Sequence, residues 1–234
     1  MNLWKRCLGI LYPQTCCFCG KVSAEQICDS CAEKVEYISE PICKKCGKPI
    51  WKDEKEYCKD CTENHFEYEQ GRSLWVHRGL MRKSVYQFKY HNRRIYGEWY
   101  AKELFRLHGH KLKEWKIDCI IPVPLHKRKR RVRGYNQAEI VAKHLGQISG
   151  IPVDTKAVVR IRNTKAQKRL DHQERKHNLK NAFRVKKTWK NVKNVLIIDD
   201  IYTTGATINE VALILKKKGA QKVCFLTISI GQGF

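Results

Sequence analysis

The stretch Val195-Leu196-Ile197-Ile198-Asp199-Asp200-Ile201-Tyr202-Thr203-Thr204-Gly205-Ala206-Thr207 decides how this chain folds. Its first four residues are apolar and mostly β-branched, which is typical of a short strand buried on both faces. Two adjacent carboxylates, Asp199 and Asp200, stand at the carboxyl end of that strand. A turn of small and hydroxyl-bearing residues follows, and apolar residues at helical spacing begin at Ile208. The order is therefore strand, acidic pair, hydroxyl-rich loop and helix.

This arrangement suits a phosphorylated sugar. A loop that leads into a helix N-terminus directs backbone N–H groups and the positive end of the helix dipole at one point, which favours a phosphate. Threonine hydroxyls add donors, and Gly205 permits a positive φ and close approach of a ligand. The carboxylates can accept hydrogen bonds from sugar hydroxyls. The carboxyl ends of parallel strands are also where α/β proteins usually bind ligands.

The same residues resemble the signature with which type I phosphoribosyltransferases bind 5-phosphoribosyl 1-pyrophosphate (PRPP). Tyr202 departs from that signature, in which an aliphatic residue is more usual. The resemblance implies that Asp199 and Asp200 are the catalytic pair and face the ribose hydroxyls. It also implies that the 5-phosphate is bound by the loop Thr203, Thr204, Gly205, Ala206 and Thr207. The alternative is an ordinary strand, turn and helix with a solvated acidic pair.

Eight of the twelve cysteines form four Cys-x-x-Cys pairs, which are Cys16/Cys19, Cys28/Cys31, Cys43/Cys46 and Cys58/Cys61. Two of these pairs continue into glycine, as expected for a knuckle that turns two thiolates toward one point. Two knuckles complete a tetrahedral four-sulfur site suited to structural zinc. A segment this short builds little hydrophobic core, so a metal would supply much of its folding free energy. The segment resembles a double zinc ribbon.

The sequence favours sequential pairing of these cysteines, because each half begins with its own Cys-x-x-Cys-Gly knuckle. An interleaved pairing and occupancy of a single site stay open. A disulfide framework is the alternative to zinc, but nothing in the sequence indicates secretion. Cys7 and Cys17 are spare thiols.

The net charge of +24 is concentrated in the second part of the chain. Residues 1–64 contain ten Lys/Arg and ten Asp/Glu, whereas residues 65–234 contain 37 and 13. A domain this basic is expected to bind polyanionic partners, which are phosphorylated substrates, nucleic acid or both. The sequence has no run of 18 apolar residues and no signal peptide, so we expect a cytoplasmic protein without membrane insertion.

These observations predict an α/β fold. We expect an N-terminal helix and double zinc ribbon in residues 1–64 and a type I phosphoribosyltransferase core with a mainly parallel sheet in residues 65–234. A linker is predicted at Thr62–Gly71, helices at 79–89 and 95–107, and a second buried strand at Cys119–Pro124. Further strands are predicted at 157–161, 182–185 and 223–230.

Two polar segments are candidates for holding pyrophosphate. The basic run Leu125–Arg133 is interpreted as a loop between a strand and a helix, and the family resemblance favours Arg133, Gly134, Asn136 and Gln137. A solvated face or a nucleic-acid patch is the alternative. Residues 162–178 resemble the loop that closes over PRPP in these transferases, and the resemblance favours Gln167, Leu170, Arg175 and Asn178. A ligand role for Lys89 stays open.

Together, Pro122-Val123-Pro124-Leu125, the basic run, Arg133-Gly134-Tyr135-Asn136-Gln137 and the acidic signature, after a Cys-rich N-terminus, resemble the ComF family of ComFC-type competence proteins. This resemblance implies PRPP binding with Mg²⁺, structural Zn²⁺, and a role in natural transformation and DNA uptake. The partners it implies are single-stranded DNA, a competence helicase and DNA-processing proteins. The chain is then either a PRPP-dependent phosphoribosyltransferase or a non-catalytic accessory factor that binds DNA and proteins on the same scaffold.

Overall fold

The structure is a computed structural model that describes residues 14–51, 55–162, 179–190 and 192–231. Its strands are β1 (Gly71–Val76), β2 (Cys119–Pro122), β3 (Val158–Arg160), β4 (Phe183–Val185), β5 (Asn194–Tyr202) and β6 (Lys222–Ile230). Four of them form a parallel sheet in the order β1-β6-β5-β2. Strands β3 and β4 form a separate antiparallel pair. The predicted α/β fold with a mainly parallel sheet is confirmed.

The helices of the described residues are α1 (Asp29–Ala32), α2 (Lys59–Glu63), α3 (Gly79–Tyr90), α4 (Tyr96–Glu114), α5 (Lys127–Arg133), α6 (Gln137–Ser149) and α7 (Ala206–Lys216). Helices α4 and α6 pack on each other and on one face of the sheet, whereas α7 packs on the other face. Among the described residues, no helix has the length and apolar character needed to cross a membrane.

Strand β5 is buried on both faces, as its continuous apolar sequence predicts. Leu196 and Ile198 belong to the core shared with α4 and α6. Val195 and Ile197 belong to the core shared with α7. Parallel strands covered by helices on both sides require this pattern, because neither face meets water.

The N-terminal cysteine-rich segment packs on both faces of the sheet. Phe18 of the first ribbon makes edge-on contacts with Trp75 of β1 and Trp99 of α4, at ring-centroid distances of 5.7 and 5.5 Å. The second ribbon joins the opposite core through Cys43 and Cys46. The chain between the ribbons crosses the outer edge of β1, where the Ile38 N–H donates to the Leu74 carbonyl at 3.0 Å. This contact covers a strand edge that would otherwise be open to pairing.

Two local predictions are wrong. The predicted linker, Thr62–Gly71, begins inside α2 and ends in β1, and Phe66 and Tyr68 between them are buried. Burial of these two aromatic rings outweighs the polar composition around them. The basic run at 125–133 is not a loop, because its residues 127–133 form helix α5. The Nδ1 atom of His126 accepts from the Arg128 N–H at the start of α5, and Gly134 ends it with φ +76°.

The other element predictions differ from the structure mainly at their ends. Helix α4 runs to Glu114, beyond the predicted end at residue 107, and β5 continues to Tyr202, past the acidic pair that is predicted at its carboxyl end. An amphipathic helix is predicted for Met1–Tyr12, which lies outside the described residues.

Candidate functional site

The acidic pair lies where the sheet opens. Strand β2 pairs with β5 only as far as Pro122 opposite Ile198, and the Val123 N–H then donates to the Ile198 carbonyl at 2.9 Å. Beyond this point β5 keeps β6 as its partner, with Asp199 opposite Thr227. Both carboxylates therefore stand on a strand whose β2 side has ended, at the carboxyl edge of the sheet where ligand crevices form.

A lysine from α3 reaches this pair. The Lys89 Nζ atom lies 2.8 Å from Asp200 Oδ1, and the two side chains are only 15% and 14% exposed. The sequence left a ligand role for Lys89 open, because a basic residue near a helix end is usually solvated. The structure brings it to the candidate site.

The Asp199 carboxyl group is partly buried beside Asp200. Burial, and next the nearby Asp200 carboxylate, raise the pKa of Asp199 to about 7, against opposing effects of the Asp200 N–H, Lys89 and Arg160. The Asp200 N–H donates to Asp199 Oδ1 at 2.8 Å. Arg160, on β3, stacks its guanidinium on the Phe183 ring at 5.2 Å. No sequence pattern predicts a role for Arg160, since a single arginine in a three-residue strand carries no signal of its own.

This pKa shift predicts opposite stability effects at the two neighbouring carboxylates. The folded protein keeps a proton on Asp199 that the unfolded chain releases near its ordinary pKa of 3.8. The free energy of unfolding therefore falls as the pH rises from that value to about 7. Replacing Asp199 with Asn removes this penalty and should raise the unfolding free energy by up to about 4 kcal/mol at pH 8.

The gain should be smaller at pH 5, where Asp199 is already protonated in the folded protein. Asp200→Asn serves as the control, because it leaves the poorly exposed Lys89 without its carboxylate and should destabilise the protein by about 1 kcal/mol at pH 8. Urea denaturation at both pH values measures these differences. A loss of stability in Asp199→Asn at pH 8 would contradict the burial argument.

The hydroxyl-rich loop turns sharply into α7. Gly205 has φ +77° and precedes the first helical residue, and its carbonyl accepts from the Asn209 N–H at 2.8 Å. A Cβ atom at Gly205 would lie 2.5 Å from the Tyr202 hydroxyl oxygen and 3.1 Å from a Phe66 ring carbon. The turn therefore requires glycine for two reasons, its left-handed backbone and the lack of space.

Tyr202, the residue that departs from the signature, fills the space beneath this turn. Its ring stacks on Phe225 at 4.9 Å, with the planes 4° apart, and its hydroxyl lies 2.6 Å from the Tyr68 hydroxyl. Phe66 stacks in turn on Tyr68 at 5.1 Å. An aliphatic residue could fill part of this space but could not make the hydroxyl contact. The loop thus rests on an aromatic group formed by Phe66, Tyr68, Tyr202 and Phe225.

The candidate pyrophosphate residues lie between α5 and α6, beside α3. The Arg133 guanidinium donates to the Gln137 side-chain oxygen at 3.2 Å and to the Tyr90 hydroxyl at 3.1 Å. The Asn136 amide is buried and donates to the Val123 carbonyl at 3.0 Å. The Gln137 amide donates to the Lys89 carbonyl at 3.4 Å. The side chains of Asn136 and Gln137 therefore tie this turn to the end of β2 and to α3. Arg133 is partly exposed, whereas Asn136 and Gln137 are buried.

The second candidate segment cannot be placed in the site. Residues 163–178 lie outside the described residues, and Gln167, Leu170, Arg175 and Asn178 are among them. Their role in closing over a ligand stays a prediction.

The structure brings the eight paired cysteines together as two groups, Cys16/Cys19/Cys28/Cys31 and Cys43/Cys46/Cys58/Cys61, which is the grouping that sequential pairing predicts. Within each group all sulfur atoms lie within 4.8 Å of one another. Cys19 and Cys28 are 3.7 Å apart at sulfur, and Cys46 and Cys58 are 3.6 Å apart. A tetrahedron with Zn–S bonds of about 2.3 Å has sulfur–sulfur edges of about 3.8 Å, so both groups fit zinc.

The two groups are built in the same way. In each, a hairpin carries the first cysteine pair, and the glycine after it adopts a positive φ, +78° at Gly20 and +73° at Gly47. The N–H of each glycine donates at 2.9 Å to the carbonyl of the first cysteine, Cys16 or Cys43. The second cysteine pair stands at the start of a short helix, α1 or α2. Cys17, one of the spare thiols, is buried, and burial raises its pKa.

Comparison with known proteins agrees with this architecture. Residues 7–62 match the double zinc ribbon domain, and residues 105–229, just over half of the chain, match the phosphoribosyl transferase domain. The chain is 37% identical over 125 residues to "Competence protein F" of Haemophilus influenzae, and the aligned region covers 53% of each chain.

Two further relatives agree. The chain is 39% identical over 106 residues to "DNA utilization protein YhgH" of Escherichia coli, covering 45% of this chain and 46% of the relative. It is 29% identical over 151 residues to "Competence protein ComFC" of Bacillus subtilis, covering 64% and 59%. The match to "Competence protein F" spans about half the length of that relative. The resemblance to ComF-type proteins is confirmed, and the chain belongs to the phosphoribosyl transferase domain family, with a double zinc ribbon domain ahead of that domain.

Proposed function

We propose that this protein binds PRPP with Mg²⁺ at the carboxyl end of β5 and acts in the uptake of transforming DNA. The observation that carries the proposal is the juxtaposition of Asp199 and Asp200 with a glycine turn at the N-terminus of α7. Carboxylates accept hydrogen bonds from the ribose hydroxyls, while the Thr203–Thr207 loop offers backbone and hydroxyl donors to the 5-phosphate. Few ligands other than a phosphorylated ribose would satisfy both halves.

The pyrophosphate group is assigned to the positive side of the site. Lys89 holds Asp200 by an ion pair, and Arg133 lies on the same side of the site through its contacts with Tyr90 and Gln137. Arg133 and Gly134 are the residues that we assign to pyrophosphate, with Asn136 and Gln137 fixing the turn that carries them. A contribution from Gln167, Arg175 and Asn178 is part of the same proposal.

Magnesium fits the donor chemistry of this site, because carboxylate and phosphate oxygens are the ligands it prefers. When bound, the metal would offset negative charge on the pyrophosphate group. The residues of this chain would orient the ribose through Asp199 and Asp200 and hold its 5-phosphate through Thr204 and Gly205. We also propose that Zn²⁺ occupies both tetracysteine groups as a structural metal.

The relatives named for competence and DNA utilisation support a role in natural transformation. Single-stranded DNA is the second proposed ligand, and the excess of 37 basic over 13 acidic residues in positions 65–234 supports it. A competence helicase and DNA-processing proteins are the proposed protein partners, and the cytoplasm is the proposed location. The same charge would support a non-catalytic accessory factor if PRPP is bound without being consumed.

Calorimetric titration of PRPP in Mg²⁺ tests the ribose site. At pH 8, where Asp199 is deprotonated, Asp199→Asn and Asp200→Asn should each weaken PRPP binding about tenfold, because each removes a charged acceptor from the ribose hydroxyls. The two variants are expected to differ in stability in opposite directions. Weaker binding by the more stable Asp199→Asn therefore cannot be attributed to unfolding. Unchanged affinity in both variants would rule out the proposed site.

A further inference from the structure

A cavity of about 460 Å³ lies beside the acidic pair. Its lining includes Arg82, Lys83, Tyr86, Lys89 and Tyr90 from α3 and Ile201 from β5. Lys89 is the residue that pairs with Asp200, and Ile201 follows Asp200 directly. The cavity is therefore a neighbour of the proposed ribose site, yet the binding of PRPP assigns no role to its aromatic wall.

Two tyrosines of that wall are half-exposed. Tyr86 and Tyr90 are 49% and 50% accessible to solvent, and their rings lie 4.9 Å apart at a tilt of 45°. The buried side of α3 is formed by Met81, Ser84, Val85 and Phe88. The tyrosines thus lie on the face of α3 that the core does not use, one helical turn apart. Aromatic rings presented in this way are platforms on which nucleobases stack.

The surroundings of this wall are strongly basic. The segment from His77 to Gly97 contains six Lys/Arg and no Asp or Glu, and the same is true of the segment from Leu125 to Ala138. Ion pairs with acidic residues engage Arg78, Lys89 and Arg130. In α5, Arg128 and Arg131 are exposed. A chain of phosphates is the complement of such a surface.

The two basic segments meet at Tyr90. The Arg133 guanidinium lies 4.8 Å from the centre of the Tyr90 ring and donates to its hydroxyl at 3.1 Å. Nearby, the Tyr135 hydroxyl donates to the Phe88 carbonyl, and Arg94 lies over the Tyr135 ring at 4.9 Å. Helix α5 and the exposed face of α3 therefore form one continuous surface, here called the α3–α5 track.

We infer that the α3–α5 track binds single-stranded DNA, with bases stacked on Tyr86 and Tyr90 and phosphates held by Arg82, Lys83 and α5. An acidic peptide would match the charge but leave the tyrosine faces unused. A duplex would match the charge but keep its bases stacked within itself. The track leads past Asp200, so bound DNA runs along the mouth of the ribose site. This inference rests on the proposed binding of single-stranded DNA and gives it a location.

Fluorescence anisotropy with a labelled oligothymidylate of about 16 nucleotides tests the track, a length that matches the upper range of single-strand site sizes. The variant Tyr86→Ala/Tyr90→Ala should bind about tenfold or more weakly, because each lost stacking platform weakens binding substantially. Tyr86→Phe/Tyr90→Phe keeps both rings and should stay within about twofold of the unmodified protein. Trp51→Ala is the matched control, since Trp51 is 83% exposed but belongs to the ribbon segment.

Salt dependence tests the electrostatic half of the track. Replacing Arg128 and Arg131 with Ala should reduce the slope of log affinity against log salt by about 1.4, as expected when two contacts to single-strand phosphates are lost. If the unmodified protein binds no oligothymidylate at low salt, the proposed binding of DNA fails, and the track fails with it. If the unmodified protein binds and Tyr86→Ala/Tyr90→Ala has the same affinity as Trp51→Ala, the track alone is overturned. Equal affinity for a duplex would also overturn the stacking.

Discussion

Replacing Cys43 with Ser should lower both the stability of the protein and its affinity for PRPP, whereas Cys16→Ser should lower only the stability. Serine is a poor zinc ligand, and in zinc ribbons the metal supplies much of the folding free energy. We expect each substitution to remove one zinc per chain and to lower the unfolding free energy by about 3 to 5 kcal/mol. The difference between them arises from what each ribbon contacts.

The second ribbon packs beneath the loop that is proposed to hold the 5-phosphate. Cys43, Cys46 and Cys58 share a buried core with Phe66, Tyr68 and Tyr202. Lys45, within the knuckle, donates to the Phe66 carbonyl at 3.1 Å and lies 5.7 Å from the centre of the Tyr68 ring. Its own carbonyl accepts from the Gly71 N–H at 2.7 Å.

Unfolding of this knuckle removes the support of Tyr68. The hydroxyl contact of Tyr68 with Tyr202 and the turn at Gly205 are then no longer fixed. The first ribbon instead packs through Phe18 on Trp75 and Trp99, in the core on the opposite face of the sheet.

Zinc content by elemental analysis, urea denaturation and PRPP calorimetry on the same preparations separate the two cases. Cys43→Ser should bind PRPP about tenfold more weakly even where the protein is folded. A loosened loop must be ordered when the ligand binds, and this ordering costs free energy that a fixed loop avoids. Cys16→Ser should retain its affinity within about twofold, since the described core contacts of its ribbon lie on the opposite face of the sheet. Equal losses of affinity in both variants, or none in either, would contradict a specific role for the second ribbon.

The sequence predicted the elements whose pattern is local. Residues 195–198 predicted a strand buried on both faces, and the spacing after Ile208 predicted α7, since both patterns depend only on neighbouring side chains. The Cys-x-x-Cys-Gly spacing predicted the two knuckles, because a site of four thiolates and two turns leaves the backbone little conformational freedom. At these places the local preference and the final fold agree, as expected for a sequence that specifies one structure.

The contacts that complete the site connect residues far apart in the chain, and no local pattern predicts them. Lys89 reaches Asp200 because α3 lies over the end of β5, and Tyr68 reaches Tyr202 across 134 positions. The predicted linker failed for the same reason, since the burial of Phe66 and Tyr68 depends on a partner provided by β5 and β6. The charge of the basic run predicts a loop, whereas His126 before it and Gly134 after it are the signals of the helix that the structure shows.

Adding a single methyl group at Gly205 should weaken PRPP binding by about a hundredfold, equivalent to about 2.8 kcal/mol. The φ of +77° at Gly205 already disfavours any residue with a Cβ atom. That atom would also lie 2.5 Å from the Tyr202 hydroxyl oxygen, which no Cβ tolerates. Because Tyr202 is held by Phe225 and Tyr68, the turn must move instead, and the donors aimed at the phosphate move with it.

Gly150→Ala provides the matched control for Gly205→Ala. Gly150 has φ +74° at the end of α6, but nothing lies within 4 Å of the place that its Cβ would take. It should therefore lose about 1 kcal/mol of stability to backbone strain and bind PRPP normally. Tyr202→Phe in the Gly205→Ala background removes the nearest atom and should restore part of the affinity, which calorimetry on the four proteins of the double-mutant cycle measures. If Gly205→Ala binds PRPP as Gly150→Ala does, the 5-phosphate is not held by this turn.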